Sequence, residues 1–150
     1  MEFKIGSVFF NIAVALWTGG VAIFTFVVTP VIFKSFPRDT ASGIVDKLFP
    51  LYFSYNLIIS ALALVFAVIS GGSNRTRALI LAAVLVNLFI TFILYPSIKK
   101  VKRGVPSFEN TDSSSPARRR FRRLHAVSAV LNLLLLAMGL ASIVFRSSGL

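Results

Sequence analysis

Four long apolar runs, divided by short charged segments, set the terms on which this chain can fold. They extend from Ile5 to Phe33, Leu51 to Ser70, Ala78 to Ile98 and Leu124 to Phe145. A hydrocarbon core about 30 Å thick takes about 20 helical residues to cross, and each run supplies at least that many. Lipid offers no water to backbone N–H and C=O groups, so a helix, which satisfies them within the run, is the conformation left. A water-soluble alternative fails on composition: 56% of the 150 residues are hydrophobic, 14% are charged and fifteen are Phe. One globule of that size would be unable to hide its own apolar surface. The chain reads as an all-α membrane protein, a single four-span domain over residues 1–150 folded as an antiparallel four-helix bundle. The first run is too long for a signal-peptide core and lacks a clear small-residue cleavage site, so it reads as retained.

Lys and Arg fix the expected orientation. Lys34, Arg38 and Lys47 lie in the first loop (34–50), and nine more lie in the third (99–123), placing twelve of the sixteen on one side. The other side receives Lys4, Arg75, Arg77 and Arg146. The positive-inside bias makes both these loops cytoplasmic and both termini external, in a bacterial inner membrane. The net charge of +11 therefore reads as topology determinants beside anionic inner-leaflet lipid, and nucleic acid is not an expected partner. Cysteine is absent, which excludes disulfides, thiol nucleophiles and zinc–cysteine sites.

The loops differ in kind. After Asp39-Thr40, a helix start, Ala41, Ile44, Val45, Leu48 and Phe49 follow at helical spacing. This is a short amphipathic helix on the inner leaflet, or an extension of the second span interrupted at Pro50. Gly71-Gly72-Ser73-Asn74 is a tight turn, making spans two and three antiparallel neighbours. The third loop, rich in Gly, Pro and Ser, is expected to be mobile, with Ser115-Pro116 opening the last helix. No repeat supports an inverted-repeat transporter. Pro30, Pro50 and Pro96 all fall near the cytoplasmic ends of their spans. They either terminate helices or free carbonyls around an inner vestibule.

No Asp, Glu, Lys or Arg lies within a span core, which leaves no ionisable relay of the kind ion-coupled transporters use, His125 apart. Each span has one asparagine instead: Asn11, Asn56, Asn87 and Asn132. Stripes of polar and small residues extend from them at helical spacing: Tyr52, Asn56 and Ser60; Asn87, Thr91 and Tyr95; Thr18, Ala22, Thr25 and Thr29. Such faces serve interhelical hydrogen bonding and close approach, or line a narrow polar cavity. Trp17-Thr18-Gly19-Gly20 has no phosphate-loop context, and its glycines suit close helix contact.

The last span begins with a basic collar, Arg118, Arg119, Arg120, Arg122 and Arg123, placed to meet anions or anionic lipid. Phe121, His125, Ser128 and Asn132 then form one helical stripe. A metal on His125 lacks companions: the other soft donors are Met1 and Met138, and Met138 lies about 20 Å further along the same helix. A metal is therefore not expected within one chain, and haem would require a histidine pair across a homodimer.

Taken together, Trp17-Thr18-Gly19-Gly20, Pro30, Phe33, Leu48-Phe49-Pro50, Pro96 and above all Phe121-Arg122-Arg123-Leu124-His125 with Ser128 and Asn132 resemble the transmembrane protein 205-like family of four-span proteins. More distantly the chain is similar to copper-resistance protein D-like membrane proteins. Ala126 stands where the family often has glycine. The resemblance implies a four-helix membrane bundle without an established activity. The expected function is non-enzymatic: binding or transport of a small solute or ion through a polar cavity, with His125, Ser128, Asn132, Asn87, Asn56, Tyr52, Tyr95 and Thr18 as candidate contacts. The rivals are a haem-binding oxidoreductase using His125 across a dimer, and a scaffold whose basic third loop docks a partner or anionic lipid.

Overall fold

The computed structural model describes the backbone of residues 2–147 and the side chains of residues 5–146; Met1 and the side chain of Lys4 lie outside the described residues. Four helical spans run up and down. The first comprises α1 (Glu2–Ile23), a π turn (Phe24–Val28) and α2 (Thr29–Ser35); the second is α3 (Arg38–Ile69). The third comprises α4 (Asn74–Phe89), a second π turn (Ile90–Leu94) and α5 (Tyr95–Lys102), and the fourth is α6 (Pro116–Ser147). Packed pairs are α1–α3, α3–α4, α4–α6 and α6–α1, so α1 and α4 stand on a diagonal.

The side chains divide as a lipid solvent would divide them. Phe10, Val14, Trp17, Val21, Ile80, Ala83, Ile90 and Leu135 fill the interior. The outward faces are apolar as well: Leu51, Ile58, Phe92 and Val130 are more than half exposed. In water such a surface would aggregate; against acyl chains it is at rest. The molecule is a multi-pass, all-α four-helix membrane protein.

Small residues let the helices close. A Cβ on Gly139 of α6 would fall against Thr18 Cγ2, and one on Gly20 would meet the Tyr55 ring at 2.6 Å. Gly19, by contrast, faces open space. The turn between α3 and α4 ends α3 with a Schellman pair, Gly72 N–H to Ala67 O at 2.9 Å and Gly71 N–H to Val68 O at 3.2 Å. Gly71 takes the left-handed conformation (φ 64°) that this closure requires.

Of the two readings of the 39–49 stretch, the structure has the extension, and it is not interrupted. Ala41 and Val45 lie in the first turns of α3, and their apolar face packs on Ile32 of α2 rather than on lipid. Pro50 lacks an N–H and so releases the Asp46 carbonyl, but the Tyr95 hydroxyl donates to that carbonyl at 3.4 Å. None of the three prolines ends a helix. The third loop is tied down instead of free. Asp39 accepts from Ser107 Oγ and from Phe108 N–H, both at 2.6 Å, and Val105 is buried.

Spans one and three share a local device. In each, a π turn is followed at once by Thr29-Pro30 or Tyr95-Pro96. Thr25, Phe26, Pro30, Ile32 and Lys34 recur at the same spacing as Thr91, Phe92, Pro96, Ile98 and Lys100. The two spans run in the same direction, so this is not an inverted repeat. A π turn takes one extra residue into the ladder, and the proline beyond it donates nothing back.

Candidate functional site

Mid-bundle polar residues are arranged in pairs. Asn87 Nδ2 donates to Ser60 Oγ at 3.1 Å, and Ser60 donates to Leu57 O at 3.1 Å. About two turns toward the basic end, the Tyr52 hydroxyl donates to Asn132 Oδ1 at 3.1 Å, joining α3 to α6. Asn56 is 1% exposed, and neither its amide nitrogen nor its oxygen has a hydrogen-bond partner among the described residues. The buried hydroxyls of Thr25 and Thr91, one in each π turn, likewise have none. Ser128 is buried one turn above His125. Thr18 donates back to Val14 O at 2.6 Å and packs on the Gly139 surface, away from these groups. Asn11 is exposed.

The cavity lies lower, at the basic end of the bundle. About 190 Å³ is enclosed between the lower parts of all four spans and the third loop. Phe33, Val45, Phe49, Ile98, Phe108 and Phe121 give it apolar walls. Arg38, Lys99, Lys102 and Arg118 bring positive charge, Asp46 is the one carboxylate among the described lining residues, and Ser42, Tyr95 and His125 are the other polar groups. Three devices hold this end together. Lys102 pairs with Asp46 and donates to Ser42 O at 3.0 Å. Arg118 donates to Thr111 O within the loop. Phe108 lies against Phe121 with centroids 4.8 Å apart, and Phe121 stacks on His125 at 5.9 Å.

The charge count decides what this pocket favours. Its single acid is already engaged by Lys102, so Arg38, Lys99 and Arg118 leave an excess of positive potential over an oily floor. The volume is below the roughly 300 Å³ at which drug-sized sites begin. It suits a compact anionic head with a short apolar body. Among the described residues no group of three His, Cys, Asp or Glu is placed to hold a metal.

Of the candidate contacts and the stripe read from the sequence, Phe121, His125, Tyr95 and Arg118 reach the pocket. Arg119, Arg120, Arg122 and Arg123 are exposed and face away from it. Asn56, Asn87, Asn132, Ser128, Tyr52 and Thr18 do not line it. Sequence reasoning missed Lys102, Lys99, Asp46, Arg38 and Phe108, which reach the site from the two loop regions. One signal was present for Asp46: it is an acid among the basic residues of these two loops.

Comparison with known proteins follows the same outline. The model of a family described as "Domain of unknown function (DUF4149)" matches residues 12–106, a stretch holding most of the first span, the second and third spans and the start of the third loop. An uncharacterized protein of Aquifex aeolicus (strain VF5) is 28% identical over 122 residues, covering 81% of this chain and 82% of that protein. No solved structure matches the chain.

Proposed function

The chain belongs to the DUF4149 family, and from the geometry of its basic end we propose that it binds a small anionic amphiphile there and hands it between the bundle and the cytoplasmic face. The observation that carries this reading is the pocket itself: apolar walls beneath three cations that no lining carboxylate offsets. A hydrophobic floor favours a short alkyl or aryl body, and the rim favours a carboxylate, sulfonate or phosphate head. His125 and Tyr95 supply hydrogen-bonding groups at the wall between floor and rim. The likeness to transmembrane protein 205-like proteins is compatible with this reading. So is an orientation in the bacterial inner membrane with both termini outside, which rests on the distribution of Lys and Arg. Outward-facing Arg119, Arg120, Arg122 and Arg123 would meet anionic lipid headgroups around the same rim.

Calorimetry on protein in nanodiscs tests the reading with three ligands of equal chain length: hexyl phosphate, hexanol and hexyltrimethylammonium. Hexyl phosphate should bind best and lose about tenfold in affinity in Arg118→Gln and again in Lys99→Gln. Equal binding of all three ligands, or indifference to both substitutions, refutes it. A Soret band in protein from haem-replete cells, lost in His125→Ala, would transfer the assignment to a haem protein.

A further inference from the structure

At the opposite end of the bundle a second, polar cavity of about 460 Å³ opens where α1 begins, α3 turns into α4 and α6 finishes. Its wall holds Ser7, Ser70, Gly72, Ser73, Thr76 and Arg146. Four features make it a built site. Arg146 is fixed: it donates to Ser7 Oγ at 2.6 Å and its guanidinium sits 4.5 Å from the Phe10 ring centroid. The turn is fixed as well, by the Schellman closure described above. The N-terminus of the 16-residue helix α4 opens at the cavity. Ser73 caps Thr76 N–H at 3.3 Å, and the first turn of a helix presents N–H groups that have no carbonyl partner within the helix. The last feature points to a ligand directly: Ser70 is 7% exposed and lines the cavity, yet its hydroxyl has no hydrogen-bond partner among the described residues.

A buried hydroxyl without a partner is a cost unless something meets it. Here it stands with a guanidinium and a helix N-terminus, both of which attract negative charge. Arg146 is the only charged residue among the described residues of the lining. We propose that this end of the bundle holds a second anion site, in which Arg146, Ser70 and the first turn of α4 bind an oxyanion of the phosphate type, free or carried on a lipid headgroup. The site is independent of the pocket at the basic end, which lies at the other ends of the same helices.

The test uses the full chain in neutral maltoside micelles. One arm titrates inorganic phosphate at constant ionic strength by calorimetry. The other adds phosphatidylglycerol or a phosphate-free galactolipid and reads retained lipid by native mass spectrometry. Arg146→Gln should weaken binding about tenfold or more, and Ser70→Ala by several fold. Arg146→Lys should keep most of it. Phosphate binding with this pattern identifies a soluble oxyanion as the ligand. Retention of phosphatidylglycerol alone, with the same pattern, identifies a lipid headgroup. Binding in neither arm, or binding indifferent to both Arg146→Gln and Ser70→Ala, overturns the proposal. The small Ser70→Ala change keeps the test decisive if Arg146→Gln disturbs folding.

Discussion

Gly139→Ala is the sharpest perturbation the packing offers. An added Cβ would overlap Thr18 Cγ2 and stand 3.5 Å from Trp17 Cζ3. Two motions could relieve the overlap, and both are opposed. Rotating Thr18 breaks the 2.6 Å bond from its hydroxyl to Val14 O. Moving α6 away from α1 opens the contact beneath Trp17, which is fully buried. Overpacking of this kind costs about 1–3 kcal/mol. The partner substitution is Thr18→Ser, which keeps the hydroxyl and removes only the offending methyl, at a cost of about 0.5–1.5 kcal/mol by itself. In the double variant the new methyl on α6 occupies the space vacated on α1, so the two losses should not add. The coupling should be about 1–2 kcal/mol in favour of the pair. Trp17 is the chain's only tryptophan, so its fluorescence during equilibrium unfolding in mixed micelles of rising SDS content reads this contact directly. Gly19→Ala is the control: nothing lies within 4 Å of its added Cβ, and alanine's helix propensity should make the change neutral or stabilising. If Gly139→Ala unfolds within 0.5 kcal/mol of the parent, or if Thr18→Ser fails to relieve it, α1 and α6 are not packed as described.

Three further outcomes are expected. Ser60→Ala leaves the Asn87 amide buried without its acceptor and should destabilise more than Asn87→Leu; the paired change should recover most of the loss, measured by the same unfolding titration. Asp39→Ala removes the acceptor of Ser107 Oγ and Phe108 N–H, so deuterium uptake across residues 105–115 should accelerate about tenfold. Replacing the five arginines from Arg118 to Arg123 with serine should disturb insertion, and cysteine labelling of single sites in residues 105–115 should show a mixed topology. Unchanged labelling would remove the charge argument for orientation.

Much of the architecture was legible because its causes are local. Span length, the Gly71-Gly72 turn and the uneven division of Lys and Arg each need only neighbouring residues to be read. The site was legible in part. His125 and Tyr95 announce themselves as polar groups on otherwise apolar helices, but Asp46 and Lys102 are 56 residues apart, and Asp39 and Phe108 are 69 apart. No periodicity encodes such pairings. Pairing was equally hidden among the asparagines: Asn87 is spent on Ser60 and Asn132 on Tyr52, while Asn56 has no partner among the described residues. The π turns left no mark on hydropathy, since one extra residue in an all-apolar stretch changes neither length nor pattern. Their sequence trace was the recurring Thr-Phe-x-x-x-Pro-x-Ile-x-Lys, which is visible only when spans one and three are laid side by side.

Helix length explains why a pocket opens at the end of the bundle. The four spans are 29–32 residues long, or about 45 Å at 1.5 Å per residue, against a hydrocarbon core of about 30 Å. Roughly a third of each helix must therefore stand in headgroups or water, or tilt to hide. The positive charge shows which third: Lys34, Arg38, Lys47, Lys99, Lys100, Lys102 and Arg118 to Arg123 all lie at one end. The π turns and prolines of spans one and three fall just before this protruding part. There an extra residue turns the helix face by about 100° relative to the part above. Phe33, Tyr95 and Ile98, all beyond the π turns, line the pocket, whereas Trp17, Val21, Ala83 and Asn87, all before them, close the core. The same sequence thus builds a closely packed bundle within the lipid and an open, cationic mouth at its end. A bound anion would lie at headgroup depth, where its charge need not be carried into hydrocarbon.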